Sequence, residues 1–212
     1  MTQVQKTIYD LKTTTVYDYL GTNVDDYHEG IDVVTSTRHM PFDDMVKAQC
    51  FNTFINTFHI GGLTSIVSRF LHRYSDISYQ EFYQDLYDFM YGIDWFQKEE
   101  KRVKHYFERW MIDGKLEHED IGVEIHGYNL IYRTLVRLHR EKLLSWVFEN
   151  IKIFLDRYDL SIGLIDDLIA LQQSYIVTYD QTMYEEIDMK LDHDIWNYIL
   201  GKELDTPIQY KL

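Results

Sequence analysis

A mainly α-helical single domain is what this sequence predicts, with about six to eight helices and one or two short β-strands near the termini. Three observations predict it. Apolar residues recur at helical spacing through most of the chain after Pro41. Glycines and capping residues (Gly61, Gly62, Ser78, Gly92, Gly114, Ser161) punctuate these runs at intervals that suit helices. Only two segments, GIDVVTST at 30–37 and YEEIDMKL at 184–191, alternate as strands do.

Taken in order, residues 1–30 form a polar, Thr- and Tyr-rich arm with weak patterning, either extended or partly disordered. The body is residues 31–212. A lone strand at 30–37 needs a partner, and the segment at 184–191 is the candidate within the chain. Pro41 then marks a helix start, where its missing N–H costs nothing. Phe42, Val46, Cys50, Phe54 and Phe58 recur every fourth residue, and Met45, Phe51 and Ile55 widen the stripe. So broad a face marks a helix with neighbours on more than one side. Gly61 and Gly62 interrupt it, and the spacing resumes at Leu63, Ile66, Val67, Phe70, Leu71 and Tyr74.

Ser78 and Glu81 have capping-box spacing, so a third helix starts there, with Phe82, Leu86 and Phe89 inward and Tyr79, Tyr83 and Tyr87 beside them. Asp94 is read as the cap of a fourth helix that buries Val103, Phe107 and Trp110 or Met111 and stops at Gly114. Between 115 and 127 the period is lost. Further helices follow around Leu135 and Leu138, then from Leu144 through Ile151 and Phe154, then from Ser161 through Leu164, Leu168 and Leu171. A short one lies around 195–200.

The totals narrow the function classes. The net charge of −14 repels phosphate backbones and anionic membrane surfaces, so neither nucleic acid nor membrane is an expected partner. No apolar run reaches membrane-spanning length, and the first residues lack the apolar core of a signal peptide. The single cysteine, Cys50, cannot form an internal disulfide. A cytoplasmic protein is therefore expected.

The phrases of the chain also carry a resemblance. Val34, Thr37 and Met40 lead into Phe42, Asp43 and Asp44. Phe58-His59, Gly62-Leu63-Thr64, Arg69-Phe70-Leu71 and Ile77-Ser78-Tyr79 with Phe82-Tyr83 follow in that order, then DIGVEIHGYNL at 120–130. Each phrase alone is unspecific; their order resembles the C-terminal region of cobalamin-binding radical S-adenosylmethionine (radical SAM) enzymes. That family uses an iron–sulfur cluster, S-adenosylmethionine and cobalamin. The resemblance implies a helical accessory domain that covers or shapes the substrate site of a catalytic barrel.

The catalytic apparatus itself is missing from this sequence. A cluster held by C-x3-C-x2-C needs three thiolates, and the chain has one cysteine. There is no D-x-H-x-x-G phrase for a lower cobalamin ligand. No catalytic, cofactor-binding or metal-ligating residue is assigned, and any radical SAM core must come in trans or have been lost. Candidate substrate-cavity or docking residues are His59, Gly61, Gly62, Thr64, Glu124, His126, Tyr128, Asn129, Tyr83 and Tyr87. His59 either points into a cavity against the barrel or simply bonds a helix C-terminal carbonyl. Asn129 or His126 serves equally well as a helix cap. Two alternatives stand beside the accessory-domain reading. One is a helical adaptor acting by protein–protein interaction. The other is a metal-dependent enzyme using His118, Glu119, Asp120, Glu124 and His126, which offer ligand types in close sequence. The paired carboxylates Asp43/Asp44 and Asp166/Asp167 are read as helix-start residues that complement the macrodipole. Oligomeric state is not readable from the sequence.

Overall fold

The computed structural model describes residues 3–16, 30–114, 130–176, 188–204 and 208–211. The fold is mainly helical with short strands, as the periodicity predicts. Among the described residues there are nine α-helices and four strands. The helix beyond the predicted set is α1 (Gln3–Tyr9), inside the stretch read as a polar arm. The others are α2 (Phe42–His59), α3 (Ser65–Tyr74), α4 (Tyr79–Tyr91), α5 (Asp94–Asp113), α6 (Leu130–Arg140), α7 (Leu144–Leu155), α8 (Ile162–Ser174) and α9 (Ile195–Ile199). The strands are β1 (Lys12–Val16), β2 (Ile31–Ser36), β3 (Asp188–Leu191) and β4 (Ile208–Lys211).

Strand pairing differs from expectation. Among the described residues the segment at 30–37 pairs with an earlier strand and not with the tail. β2 pairs antiparallel with β1, with Thr14 opposite Val33 and Val16 opposite Ile31. β3 pairs antiparallel with β4. The arm was hard to read because threonines supply most of β1: Thr13, Thr14 and Thr15 are β-branched but not apolar, so no hydrophobic alternation marks them.

Internal packing groups the chain into two units, Met1–Phe54 with Gly92–Arg133 and Ile55–Tyr91 with Thr134–Leu212. In the first unit Val46 and Cys50 of α2 meet Val103, Phe107 and Met111 of α5, with Phe42, Met45, Tyr106 and Trp110 partly buried around them. The sequence left Trp110 and Met111 as alternatives; Met111 is the buried one. Burial pushes the Cys50 thiol up to about 12, so it is an inert core group rather than a nucleophile. β1 closes onto α5: the Thr14 hydroxyl donates to the Met111 carbonyl. Gly114 ends α5 at φ +65, where a Cβ would lie 2.2 Å from the Thr15 carbonyl oxygen. Glycine is required there twice over, by conformation and by space. Lys6 pairs with Asp32 at 3.1 Å across α1 and β2, and this bond, with that from Thr15, holds the Asp32 carboxyl below its usual range.

The second unit is built around α3, which touches α4, α8 and α9. Ile66, Val67, Phe70 and Leu71 of α3 are all at most 2% exposed. The α4 stripe is rotated from the predicted one: Phe82 and Leu86 are buried as expected, but Tyr83 and Met90 are buried where Phe89 was expected to be. Phe89 lies instead at the edge of the core, 5.5 Å from Phe154 between ring centres, with the Arg157 guanidinium over it. Leu164, Ile165, Leu168 and Leu171 of α8 are buried as predicted. The capping reading holds at Ser78, whose hydroxyl accepts from Glu81 N–H while Glu81 accepts from Ser78 N–H. It shifts by one residue at α5, where Ile93 is the cap and Asp94 the first helical residue.

Candidate functional site

The site grows from the end of α2. Its carbonyls are taken up by a tight turn: Gly61 N–H donates to Asn56 O at 2.9 Å, and Thr64 N–H to Phe58 O at 2.7 Å. The two glycines serve different needs. Gly62 has φ +81, which other residues adopt at a cost. Gly61 is needed for space: a Cβ there would sit 2.3 Å from Thr57 O and 2.9 Å from Leu135 Cδ1.

α3 begins without a local side-chain cap, because the Thr64 hydroxyl bonds back to Phe58 O. The orphan N–H groups of its first turn go to a residue far along the chain. Gln172 Oε1 accepts from Ile66 N at 2.7 Å and Val67 N at 3.2 Å, while its Nε2 donates to Gly62 O at 2.6 Å. Gln172 is fully buried, so this one amide holds both the glycine turn and the start of α3.

On this frame stands His59. Its Nδ1 lies 2.6 Å from the Tyr83 hydroxyl. The direction of the bond follows from its neighbours. The Ser68 hydroxyl donates to Ser65 O, so its oxygen must accept from Tyr83, 3.2 Å away. Tyr83 has thereby spent its only hydrogen, and its oxygen accepts from His59 Nδ1–H. Burial, with the charge of Arg69 second, lowers the His59 pKa below the ordinary 6.5. The ring is therefore neutral at neutral pH, with the lone pair on Nε2. Burial raises the Tyr83 pKa, against smaller opposing effects of the Ser68 and Thr64 hydroxyls. The rings of Tyr79 and Tyr83 meet His59 edge to face at 6.2 and 5.6 Å.

The structure thus brings His59, Gly61, Gly62, Thr64 and Tyr83 together. His59 bonds a phenol hydroxyl rather than the helix carbonyl expected of it. Tyr83 is 3% exposed, so it belongs to the interior and not to a docking surface. Tyr87 is half-buried beside Tyr91; Tyr79 and Tyr91, 42% and 47% exposed, are what α4 offers to solvent. Glu124, His126, Tyr128 and Asn129, with the 118–126 loop, lie outside the described residues. Among the described residues no group of three or more His, Cys, Asp or Glu is arranged to hold a metal, and no helix is long and apolar enough to cross a membrane.

Sequence reasoning missed Ser68 and Gln172. The signal for Gln172 was a polar residue on the Leu168/Leu171 stripe of α8, where an amide survives only if all its bonds are made. It also misplaced Asp166 and Asp167, which are the fifth and sixth residues of α8 rather than its start. Asp166 pairs with Lys152 at 2.9 Å. Asp167 accepts from His193 Nδ1 at 2.8 Å and from the N–H groups of Asp192 and His193. The shared Asp167 oxygen fastens the exit of β3 to α8. At the α2–α3 turn the chemistry available is that of an oriented, uncharged imidazole. No known protein-family model matches the chain, and no curated protein sequence matches it.

Proposed function

We propose that this chain is a C-terminal accessory region of a cobalamin-dependent radical SAM enzyme, not catalytic alone. On this reading it shapes or covers the substrate site of a core carried on a partner chain or on another part of a longer one. What supports the reading is a convergence. The family-like phrases contribute His59, Gly62 and Thr64, and Tyr79 with Tyr83, and these meet at a single turn. A helical lid of this kind excludes water and orients substrate while the core performs the radical chemistry. The cluster, S-adenosylmethionine and cobalamin belong to that core, since one buried cysteine cannot hold a cluster. A lone reduced thiol suits a cytoplasmic setting.

A second reading, a helical adaptor, is favoured by the apolar groups left at the surface, Ile60 at 71% exposure with Tyr79 and Tyr91. Immunocapture of the native protein separates the two, with its intact mass and the sequences of bound chains determined. A C-x3-C-x2-C segment in the same polypeptide or in a stoichiometric partner supports the accessory role. Its absence from both overturns that role in favour of the adaptor.

A further inference from the structure

We propose that the outer faces of α3 and α4 form a self-complementary surface on which a second copy of this chain docks, the basic α3 of each copy against the acidic α4 of the other. The inference does not depend on the accessory-domain reading.

The two faces lie on one side of the second unit. α3 touches α4. α3 rests on α8, where Gln172 takes its first N–H groups at 2.7 and 3.2 Å. α4 rests on α7, with the Phe82 and Phe89 rings 5.7 and 5.5 Å from that of Phe154. α7 and α8 touch in turn. These four helices therefore make two layers, and the outer faces of α3 and α4 both point away from the α7–α8 layer.

The charges on that side are sorted by helix. The outward residues of α3 include Arg69, His72 and Arg73, all exposed, and α3 holds no acidic residue. Those of α4 include Glu81, Asp85 and Asp88, also exposed, and α4 holds no lysine or arginine. Arg69 and Arg73 stand four residues apart, as do Glu81 and Asp85, with Asp88 three further on; such residues are neighbours on a helix face. Among the described residues none of these arginines and carboxylates makes an ion pair. Lys6, Lys47, Arg102, Lys104, Arg109 and Lys152 all do. Glu81 and Asp88 accept from the neutral donors of Ser78 and Gln84. The Arg73 guanidinium is held 4.8 Å over the Tyr198 ring, so it loses less freedom on pairing.

Like charges four residues apart destabilise a helix, and each face carries such a pair uncompensated. A two-fold axis between the helices lays α3 of one copy on α4 of the other and repeats the contact, which closes the assembly at two copies. A uniformly acidic or basic partner matches one helix and is repelled by its neighbour. A second copy has both signs, sorted in the same way. Tyr74, Tyr79 and Tyr91, 42%, 42% and 47% exposed, add the aromatic surface that interfaces favour. The net charge of −14 opposes association at long range. Salt at about 0.15 M screens that repulsion beyond about 8 Å and leaves the contact pairs.

The test is sedimentation velocity of the full chain in about 0.15 M salt. A dimer with Kd tighter than about 100 μM is expected. Arg69→Glu with Arg73→Glu makes both faces acidic, and Asp85→Lys with Asp88→Lys makes both basic. Each variant alone should be monomeric, because like charges then meet. An equimolar mixture of the two should recover a dimer containing one of each. Circular dichroism checks that each variant keeps the helix content of the parent. Arg69→Gln with Arg73→Gln removes charge without reversing it, and stands in for a reversal that loses helix; it should weaken the dimer more than about tenfold. A parent chain that stays monomeric at about 200 μM overturns the proposal and leaves the face to a partner of different sequence. A dimer equally tight in the variants, or a mixture of folded variants that stays monomeric, overturns it as well.

Discussion

Two histidines of the second unit are each held through Nδ1, but by different chemistry. At the α2–α3 turn His59 donates to a chain of neutral hydroxyls that ends on the Ser65 carbonyl. At the return from β3, His193 donates to the Asp167 carboxylate, whose same oxygen also accepts two backbone N–H groups. The first arrangement runs inward from a half-buried ring through the buried Tyr83 and Ser68, and it orients that ring. The second is half wet and anchors a chain segment. The difference teaches that a charged acceptor suits a place where water can share its solvation. A fully buried junction instead favours neutral groups whose donors and acceptors are all matched.

The sharpest break in this comparison is at the buried junction. Gln172→Leu leaves Ile66 N–H, Val67 N–H and Gly62 C=O without their partner, and the expected loss is roughly 3 kcal/mol or more. Urea unfolding of the variant measures it; a loss below about 1 kcal/mol would mean that water enters the junction. Next comes Asp167→Ala, which removes a carboxylate acceptor from three donors at a partly exposed place. About 2 kcal/mol is expected, less than for Gln172 because water can replace some of the bonds. If the two losses were equal, burial would not be the deciding factor.

Tyr83→Phe keeps the ring in the core and removes only the hydroxyl. About 1 kcal/mol should be lost. The clearer readout is the nitrogen spectrum of His59, which should change from a single Nδ1–H tautomer to a mixture. The smallest effect concerns pH. The His59 pKa is lowered in the folded state, so the unfolded chain takes up the proton first as pH falls. The contribution of the neutral ring is complete above the unfolded value of about 6.5 and is lost as pH drops below it toward the folded pKa. His59→Gln should therefore show a shallower decline in denaturation midpoint than the parent between pH 7 and 5. Parallel declines would place the acid sensitivity elsewhere.

Much of this fold was legible before its structure. The stripes of α2, α3, α7 and α8 and the capping box of α4 follow from 3.6-residue periodicity and local donor–acceptor chemistry, which operate within a few residues. The two glycines, His59 and Thr64 stood out for the same local reason. The rotation of the α4 stripe toward Tyr83 and Met90 did not, because which of two adjacent aromatic faces turns inward depends on what the neighbouring helices present. Nor did the pairing of β1 with β2, which rests on threonines without an apolar signature.

The sequence by itself determined that the chain is mainly helical, where most helices begin and end, and that it carries no set of thiolates for a metal cluster. Those properties reside in residue identity and short-range spacing. Only the tertiary structure decided that Gln172 caps a helix more than a hundred residues earlier in the chain, and that Tyr83 faces inward. It also decided that His59 Nδ1 meets the Tyr83 hydroxyl. Each depends on which donor meets which acceptor across long sequence separations, and a linear pattern does not encode that pairing until the backbone has closed around it.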